Sequence, residues 1–328
     1  MVAPITFVTC VESGPLETQV LRMVESLRRF GGAYSECAIW AVKPRFGPPL
    51  SRHTRSELDR LGVQFRRTSR IDRHGWYAYI NKTRALILAE VDAPTEFVGW
   101  LDADLLFTGE PAELLPRPGE DITACSSDNS GGSTGPGDKC EPFWRAACAA
   151  VGLDVDQLPW VTTEREGDRI RLYWNSGVFA FRKGCGLAAE HDRCTTRLLD
   201  ANLGSAVTGV FFTEQYGLAL AAAKLGLRFR QLPHSHNYEM GSAIHEKWYR
   251  EDKLRAARIV HYHDFLWPGY WPTFIDCLKA THPAVAAWLE PLGPLRNEAP
   301  VAYRAVTKVL RTVRTSGEQR FKAACRFV

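Results

Sequence analysis

Asp102 and Asp104 sit in a strongly apolar stretch, Trp100-Leu101-Asp102-Ala103-Asp104-Leu105-Leu106-Phe107. Carboxylates flanked so closely by apolar side chains need a partner, because burying an unpaired charge is costly. A hard divalent cation is the simplest one. Read as the end of a buried strand, the segment puts both carboxylates on one face, since side chains two apart in a strand point the same way. Open α/β sheets bind ligands at such strand ends. The pair predicts a shared metal or substrate site.

Other residue types suit the same site. Asn175-Ser176-Gly177 places two small polar groups and a glycine just before the apolar run Val178-Phe179-Ala180-Phe181. Gly177 would let a ligand approach the backbone closely. Glu214 and Gln215 open an amphipathic segment, where an acidic residue also favours the helix dipole. His261 and His263 share a face if their segment is extended, and a neutral imidazole is a good metal ligand. Lys82 and Arg84 offer charge-assisted hydrogen bonds.

These groups would be positioned by alternating strands and helices. Ile5–Cys10 reads as a first strand, and Val20, Val24, Leu27 and Phe30 recur at helical spacing, which predicts a helix over Glu17–Phe30. Cys37–Val42 and Val63–Arg66 read as strands, with a helix between them that Ser51 caps and that ends near Leu61-Gly62. A helix over Lys82–Glu90 and a buried strand over Glu96–Leu101 follow. Such alternation predicts a mostly parallel sheet covered by helices. Ser126–Lys139 is so polar and glycine-rich that it predicts a mobile, unpacked loop, and it lacks the Gly-Lys-Ser/Thr ending of a phosphate loop. Order returns with a strand within Tyr173–Arg182, a helix over Thr213–Lys224, a strand over Arg258–Tyr262 and one helix over Trp271–Leu289.

With these segments in view, the chain resembles glycosyltransferases of the GT-A fold, whose Asp-x-Asp signature binds the metal. It resembles more narrowly glycosyltransferase family 8, which includes glycogenin and bacterial lipooligosaccharide galactosyltransferases. Asn175–Phe181 resembles that family's Asn-Ala/Ser-Gly-Val strand. Phe212-Thr213-Glu214-Gln215 resembles its Asp-Gln segment, with Glu in place of Asp, and Ile259-Val260-His261-Tyr262 its late strand ending in a metal-binding His. The resemblance runs across about residues 5–275.

It implies an α/β GT-A fold with a mixed, mostly parallel central sheet flanked by helices, one catalytic domain over residues 1–290 and a basic helical extension over residues 291–328. It implies that Asp102, Asp104 and His261 hold Mn²⁺ or Mg²⁺, with Mn²⁺ better suited to the imidazole. Thr9, Val11, Glu12, Lys82, Arg84, Asp102 and Ala103 would contact a nucleotide-sugar donor such as a UDP-sugar, Glu12 through a ribose hydroxyl. Asn175, Ser176, Gly177, His263 and Trp267 would meet the donor sugar or the acceptor. Glu214 and Gln215 would lie beside the anomeric carbon as the catalytic pair. The implied reaction is a metal-dependent, retaining transfer of a hexose to a saccharide or lipid-linked acceptor. One departure stands out: where the family has His-x-x-Gly-x-x-Lys-Pro-Trp, the chain reads His261-Tyr262-His263-Asp264-Phe265-Leu266-Trp267-Pro268-Gly269-Tyr270-Trp271, without the lysine for the β-phosphate. The aromatic residues there would form either a core cluster or a platform for a sugar face.

Other readings are weaker. Aspartyl-phosphate phosphatases also use Asp-x-Asp, but with Thr or Val where Leu106 stands. A nucleotidyltransferase on a similar sheet needs a basic, glycine-rich loop after the first strand, and Val11-Glu12-Ser13-Gly14-Pro15 has no base. A sugar-binding protein without turnover would have no need of an intact Asp102, Asp104 and His261.

The chain has 328 residues, 45% hydrophobic and 24% charged, which is ordinary for a soluble globular protein. A net charge of +4 is too small to argue for nucleic acid. Nine scattered cysteines without a Cys-x-x-Cys pair argue against a disulfide framework or zinc knuckle and for a reducing, cytoplasmic setting. The start lacks the basic region of a signal peptide, and no apolar run approaches the roughly 20 residues that span a bilayer. Ala299–Phe327 carries Arg304, Lys308, Arg311, Arg314, Arg320, Lys322 and Arg326 around Val306, Val309, Leu310 and Val313. That pattern suits either a solvated packing helix or peripheral contact, through residues 299–328, with the inner face of an anionic membrane. Homo-oligomerisation is compatible with all of this.

Overall fold

The computed structural model describes residues 3–68 and 74–328. Strands β1 (Ile5–Cys10), β2 (Ala38–Lys43) and β3 (Val63–Arg67) alternate with helices α1 (Pro15–Phe30) and α2 (Arg52–Arg60). Helix α3 (Ile80–Asp92) then leads to β4 (Phe97–Leu101), β5 (Leu105–Phe107) and β6 (Ile122–Cys125). After α4 (Glu141–Val151), the short pair β7 (Trp160–Thr162) and β8 (Arg169–Arg171) precedes β9 (Asn175–Arg182), α5 (Leu187–Asp200), β10 (Leu203–Gly204), α6 (Thr213–Lys224) and β11 (Phe229–Gln231). The chain continues through β12 (Tyr238–Glu239), α7 (His245–Trp248), α8 (Glu251–Ala256), β13 (Ile259–His261), α9 (Trp271–Thr281), α10 (Pro283–Leu289), α11 (Val301–Ala324) and β14 (Arg326–Phe327).

Seven strands form the central sheet in the order β11-β6-β9-β4-β1-β2-β3. All neighbours are parallel except β9, which is antiparallel to both β4 and β6. This is the mixed, mostly parallel sheet that the alternation predicts. Phe7 and Ile39 pack on one face against Val20, Met23, Val24 and Leu27 of α1, whose i, i+3, i+4, i+7 spacing makes a single apolar stripe. Val8 and Trp40 pack on the other face with Ala85 and Leu86 of α3. A second sheet, β12-β13-β5, is covered by α9 and α10.

Local chemistry sets the ends of these elements. Ser51 caps α2 by accepting from the Thr54 amide at 3.0 Å. Gly14 caps α1 at φ 123°, a conformation open to glycine, while Glu17 accepts its amide at 3.0 Å. The single helix expected over Trp271–Leu289 is two helices, because Pro283 cannot continue α9 and His282 turns to φ −136°.

Ser126–Lys139 is irregular, as predicted, but it is packed rather than unpacked. The Ser126 hydroxyl donates to the Tyr173 carbonyl at 2.9 Å, and that of Ser133 to Glu141 at 2.7 Å. A Cβ on Gly131 would come 2.7 Å from the Tyr173 ring, and one on Gly132 2.5 Å from Ile170. The glycines let the loop lie against the core, where larger residues would clash.

Helix α11 rests on the body through Leu310, Gly317 and Phe321. The Phe321 ring is 4.6 Å from that of Trp76, and a Cβ on Gly317 would sit 3.0 Å from the Trp76 Cβ. Val306, Val309 and Val313 are exposed. Among the described residues no helix is long and apolar enough to cross a membrane.

Candidate active site

Strand pairing assembles the site. Because β9 runs against β4, its first residues lie beside the carboxyl end of β4: Leu101 pairs with Val178, and the Asp102 amide donates to the Gly177 carbonyl at 2.9 Å. Because β13 runs against β5, His261 pairs with Leu105, one residue from Asp104. The result is one Asp102–Asp104–His261 group with a ligand atom from each within 4.8 Å of the others. The aspartates do not share a strand face, however. β4 ends at Leu101 and β5 begins at Leu105, so the carboxylates converge through the turn between them.

His261 is buried and held at both nitrogens. Nδ1 lies 3.1 Å from Asn237 Oδ1, and Nε2 lies 3.2 Å from Asp104 Oδ1. The Asn237 amide also donates to Asn175 Oδ1 at 2.9 Å. A proton on Nδ1 toward Asn237 leaves Nε2 as the nitrogen that faces the carboxylates, the outer hydrogen bond that orients a ligating imidazole. Burial alone would depress the His261 imidazole, but the Asp104 carboxylate and its hydrogen bond raise it to about 9. Burial works against the Asp104 carboxyl too, and His261 brings it down to about 2. Asp102 goes the other way: burial raises its carboxyl despite Lys82. Its Oδ1 accepts from Trp100 Nε1 at 2.6 Å and lies 3.2 Å from Lys82 Nζ.

Two carboxylates and one imidazole within one coordination sphere's reach make a donor set that fits a divalent ion, Mn²⁺ better than Mg²⁺. His263 does not complete it on the same face. The strand ends at His261, and His263 has φ 49°. Its ring lies 4.4 Å from that of His261, tilted by 43°, and burial, with His261 beside it, lowers its imidazole to about 4.

The group opens into a cavity of about 760 Å³. Glu12, Lys82, Asp102, Ala103, Asp104, Asn175, Gln215, His261, His263 and Trp267 line it. Other expected residues lie behind the wall. Thr9 and Val11 are buried in the sheet core, where the cavity-facing neighbour is Cys10. Arg84 points away and donates to Asp192 Oδ2 at 2.6 Å. Glu12 reaches the cavity, but both its oxygens are taken by Arg45, and Oε1 also accepts from Asn81 at 2.9 Å.

Ser176 and Glu214 form a buried support. Lys82 Nζ donates to the Ser176 hydroxyl at 2.7 Å and carbonyl at 2.9 Å, and lies 3.1 Å from Glu214 Oε2. Ser176 in turn donates to Glu214 at 2.8 Å, and His191 Nε2 lies 3.0 Å from both the Glu214 backbone carbonyl and its Oε1. Burial would raise the Glu214 carboxyl, and Lys82 and His191 lower it instead. Glu214 is 2% exposed and reaches the cavity only through Lys82, so of the Glu214–Gln215 pair only Gln215 faces it. Gln215 Oε1 accepts from the Tyr173 hydroxyl at 2.7 Å. That leaves its NH₂ as a donor for the cavity. Gly177 serves a different purpose from the one expected. A Cβ there would meet the His261 ring at 2.6 Å, so the group that approaches this backbone is His261.

Several cavity residues carried no sequence signal strong enough to single them out. Tyr79 and Phe211 form an aromatic rim, ring centroids 5.1 Å apart. Asp128 and Glu239 make an acidic wall opposite, with Arg165 Nη2 at 2.8 Å from Glu239. Asn237 lies in the polar run His234-Ser235-His236-Asn237, an unusual stretch beside a buried strand that was the available hint. Of the suspected aromatic platform, Tyr262 and Phe265 are core, and Trp267 lines the cavity.

No curated protein sequence matches the chain. Among solved structures, it is similar to the WbbM bifunctional glycosyltransferase in its apo form, with 12% identity over 87% of this chain and 51% of that one, at a TM-score of 0.51. The chain thus spans about half the length of that relative, and the likeness is one of fold, of the GT-A type. Mouse xyloside xylosyltransferase 1, apo form, aligns at 12% identity over 80% of this chain and 98% of its own, TM-score 0.42. The glycosyltransferase GlyE of Streptococcus pneumoniae TIGR4 aligns at 13% over 90% and 66%, TM-score 0.47. Residues 7–226, which carry Asp102, Asp104, Asn175 and Gln215, match the Rhodobacterales glycosyltransferase domain, and the chain belongs to that glycosyltransferase family.

Proposed function

We propose that the enzyme transfers a hexose from a nucleotide-diphosphate sugar, a UDP-sugar, to a saccharide or lipid-linked acceptor, with retention at the anomeric carbon as the family 8 resemblance implies. The observation that carries this reading is the Asp102–Asp104–His261 group on the wall of a cavity large enough for a sugar nucleotide. A Mn²⁺ or Mg²⁺ ion held by these three residues would supply Lewis-acid stabilisation of the charge that grows on the leaving diphosphate. The protein's own groups do the rest. Lys82 adds a positive charge beside Asp102, fixed by Ser176 and Glu214, where the chain lacks the family's β-phosphate lysine. Gln215, oriented by Tyr173, presents its NH₂ to a sugar oxygen, and Asn175 and Asp128 offer further polar contacts. Tyr79, Phe211 and Trp267 give aromatic faces to a sugar or base.

The test is a screen of UDP- and other nucleotide-sugars with Mn²⁺, following release of the nucleoside diphosphate. The reading is abandoned if no nucleotide sugar is turned over or hydrolysed. The exposed valines of α11 support peripheral membrane contact as part of the same reading. Unchanged co-sedimentation of a Val306→Asp, Val309→Asp variant with anionic vesicles would remove it.

A further inference from the structure

A second cavity, of about 560 Å³, lies between α11, the Glu12–Leu16 turn and Trp76. Its walls bring five cations, Arg45, Arg304, Lys308, Arg311 and Arg314, against two carboxylates, Glu12 and Glu318. Neither carboxylate pairs with Arg304, Lys308 or Arg311. Glu12 is held by Arg45 and Asn81, with Arg314 no nearer than 4.0 Å, and Glu318 lies 2.7 Å from Lys322. Among the described residues, no carboxylate forms an ion pair with Arg304, Lys308 or Arg311.

Arg304, Lys308 and Arg311 recur at i, i+4 and i+7 on the flank that lines the groove, while Val306, Val309 and Val313 lie exposed on the other flank. Like charges at this spacing repel one another. Burial and Arg45 together lower the Arg314 guanidinium. An anion in the groove would relieve this crowding.

The sugar-nucleotide donor has no use for these charges. Its negative charge sits on the diphosphate alone, which the proposed reading places at Asp102, Asp104 and Lys82. None of the four cations on α11 lines that cavity. The two cavities are adjacent, with Glu12, Leu16, Arg45 and Ala78 lining both.

We propose that the groove under α11 binds a phosphate group, and that this phosphate belongs to the acceptor. The anion site stands on the groove alone; its assignment to the acceptor rests on the glycosyltransferase reading above. The probe is inorganic pyrophosphate, titrated calorimetrically into the full chain in EDTA, so that no metal-held diphosphate contributes. Binding should weaken with salt, as phosphate contacts by Lys and Arg do. An Arg304→Ala, Lys308→Ala, Arg311→Ala variant, changed only at exposed positions, should bind roughly tenfold more weakly or worse, the loss of one or two charge-assisted contacts. Parallel titrations with a hexose 1-phosphate and with a short alkyl phosphate separate a sugar-phosphate acceptor from a lipid-phosphate one. Stabilisation by a UDP-sugar with Mn²⁺ should be the same in the parent and the triple variant. Its absence from the parent would refute the donor reading and leave the anion site standing. The site itself is overturned if pyrophosphate does not bind, if the triple variant binds it equally, or if only phosphatidylglycerol vesicles bind.

Discussion

Replacing Gly177 with alanine should cripple metal binding without touching a ligand. The new Cβ would stand 2.6 Å from His261 Cε1 and 2.7 Å from Nδ1. Non-bonded carbons settle at about 3.5–4.0 Å, so the ring has to retreat by about 1 Å. It has little freedom to do so gracefully, because Asn237 and Asp104 hold its two nitrogens and it is 5% exposed. Metal–ligand distances tolerate about 0.2 Å, and loss of the contacts that orient a ligating histidine typically costs about 10–100-fold in affinity. The variant should therefore bind Mn²⁺ about 10–100-fold more weakly, with a loss of about 1–3 kcal/mol in stability from overpacking. Free Mn²⁺ measured by electron paramagnetic resonance, with thermal melts in EDTA alongside, reads both effects. An alanine variant that binds Mn²⁺ as tightly as its parent would refute the reasoning.

Three further outcomes follow from the site. With the His261 imidazole at about 9, an ion must displace its proton throughout the neutral range, so Mn²⁺ affinity should rise about tenfold per pH unit between roughly 6.5 and 8.5; a flat profile would exclude His261 as a ligand. In EDTA the same raised value stabilises the fold fully below the unfolded value of about 6.5, and this contribution, on the order of 3 kcal/mol, is lost as pH rises through 9. Thermal melts across that window that show no decline would contradict the His261–Asp104 pairing. Glu214→Gln should cost about 1–3 kcal/mol, because the buried Lys82 ammonium loses one carboxylate but keeps Asp102 and Ser176, whereas Gln215→Ala should leave the melting temperature near that of the parent and lower kcat; equal melts for parent and Glu214→Gln would show that Lys82 does not depend on Glu214.

The fold was legible where one element could be read from its own residues. β1, α1, α2 and α6 follow from strand runs, helical spacing and a serine cap, and the structure moves their ends by two residues at most. The Asp102–Asp104 pair was legible because carboxylates in so apolar a setting are anomalous. What could not be read was set by pairing between distant segments. No local pattern says that β9 runs against β4 and so carries Gly177 to His261, or that β13 pairs with β5. The same holds for direction: Arg84 and Lys82 are two apart on α3, and only tertiary packing decides that Lys82 faces the cavity and Arg84 faces Asp192. Composition misled in one place. Polarity and glycine in Ser126–Lys139 indicated mobility, whereas the glycines are what let the segment pack against Tyr173 and Ile170. In α11 the amphipathic pattern was visible, but not that its basic flank would close a groove and its valines face outward.

The central claim is that Asp102, Asp104 and His261 together hold the ion that holds the donor's diphosphate. Calorimetric titration of a UDP-sugar with and without Mn²⁺, on the parent and on the isosteric Asp104→Asn variant, tests it most directly. The account predicts donor binding in the parent that requires Mn²⁺, and no Mn²⁺-dependent binding in a variant that still melts cooperatively. Donor affinity indifferent to Mn²⁺, or retained in full by Asp104→Asn, would contradict it.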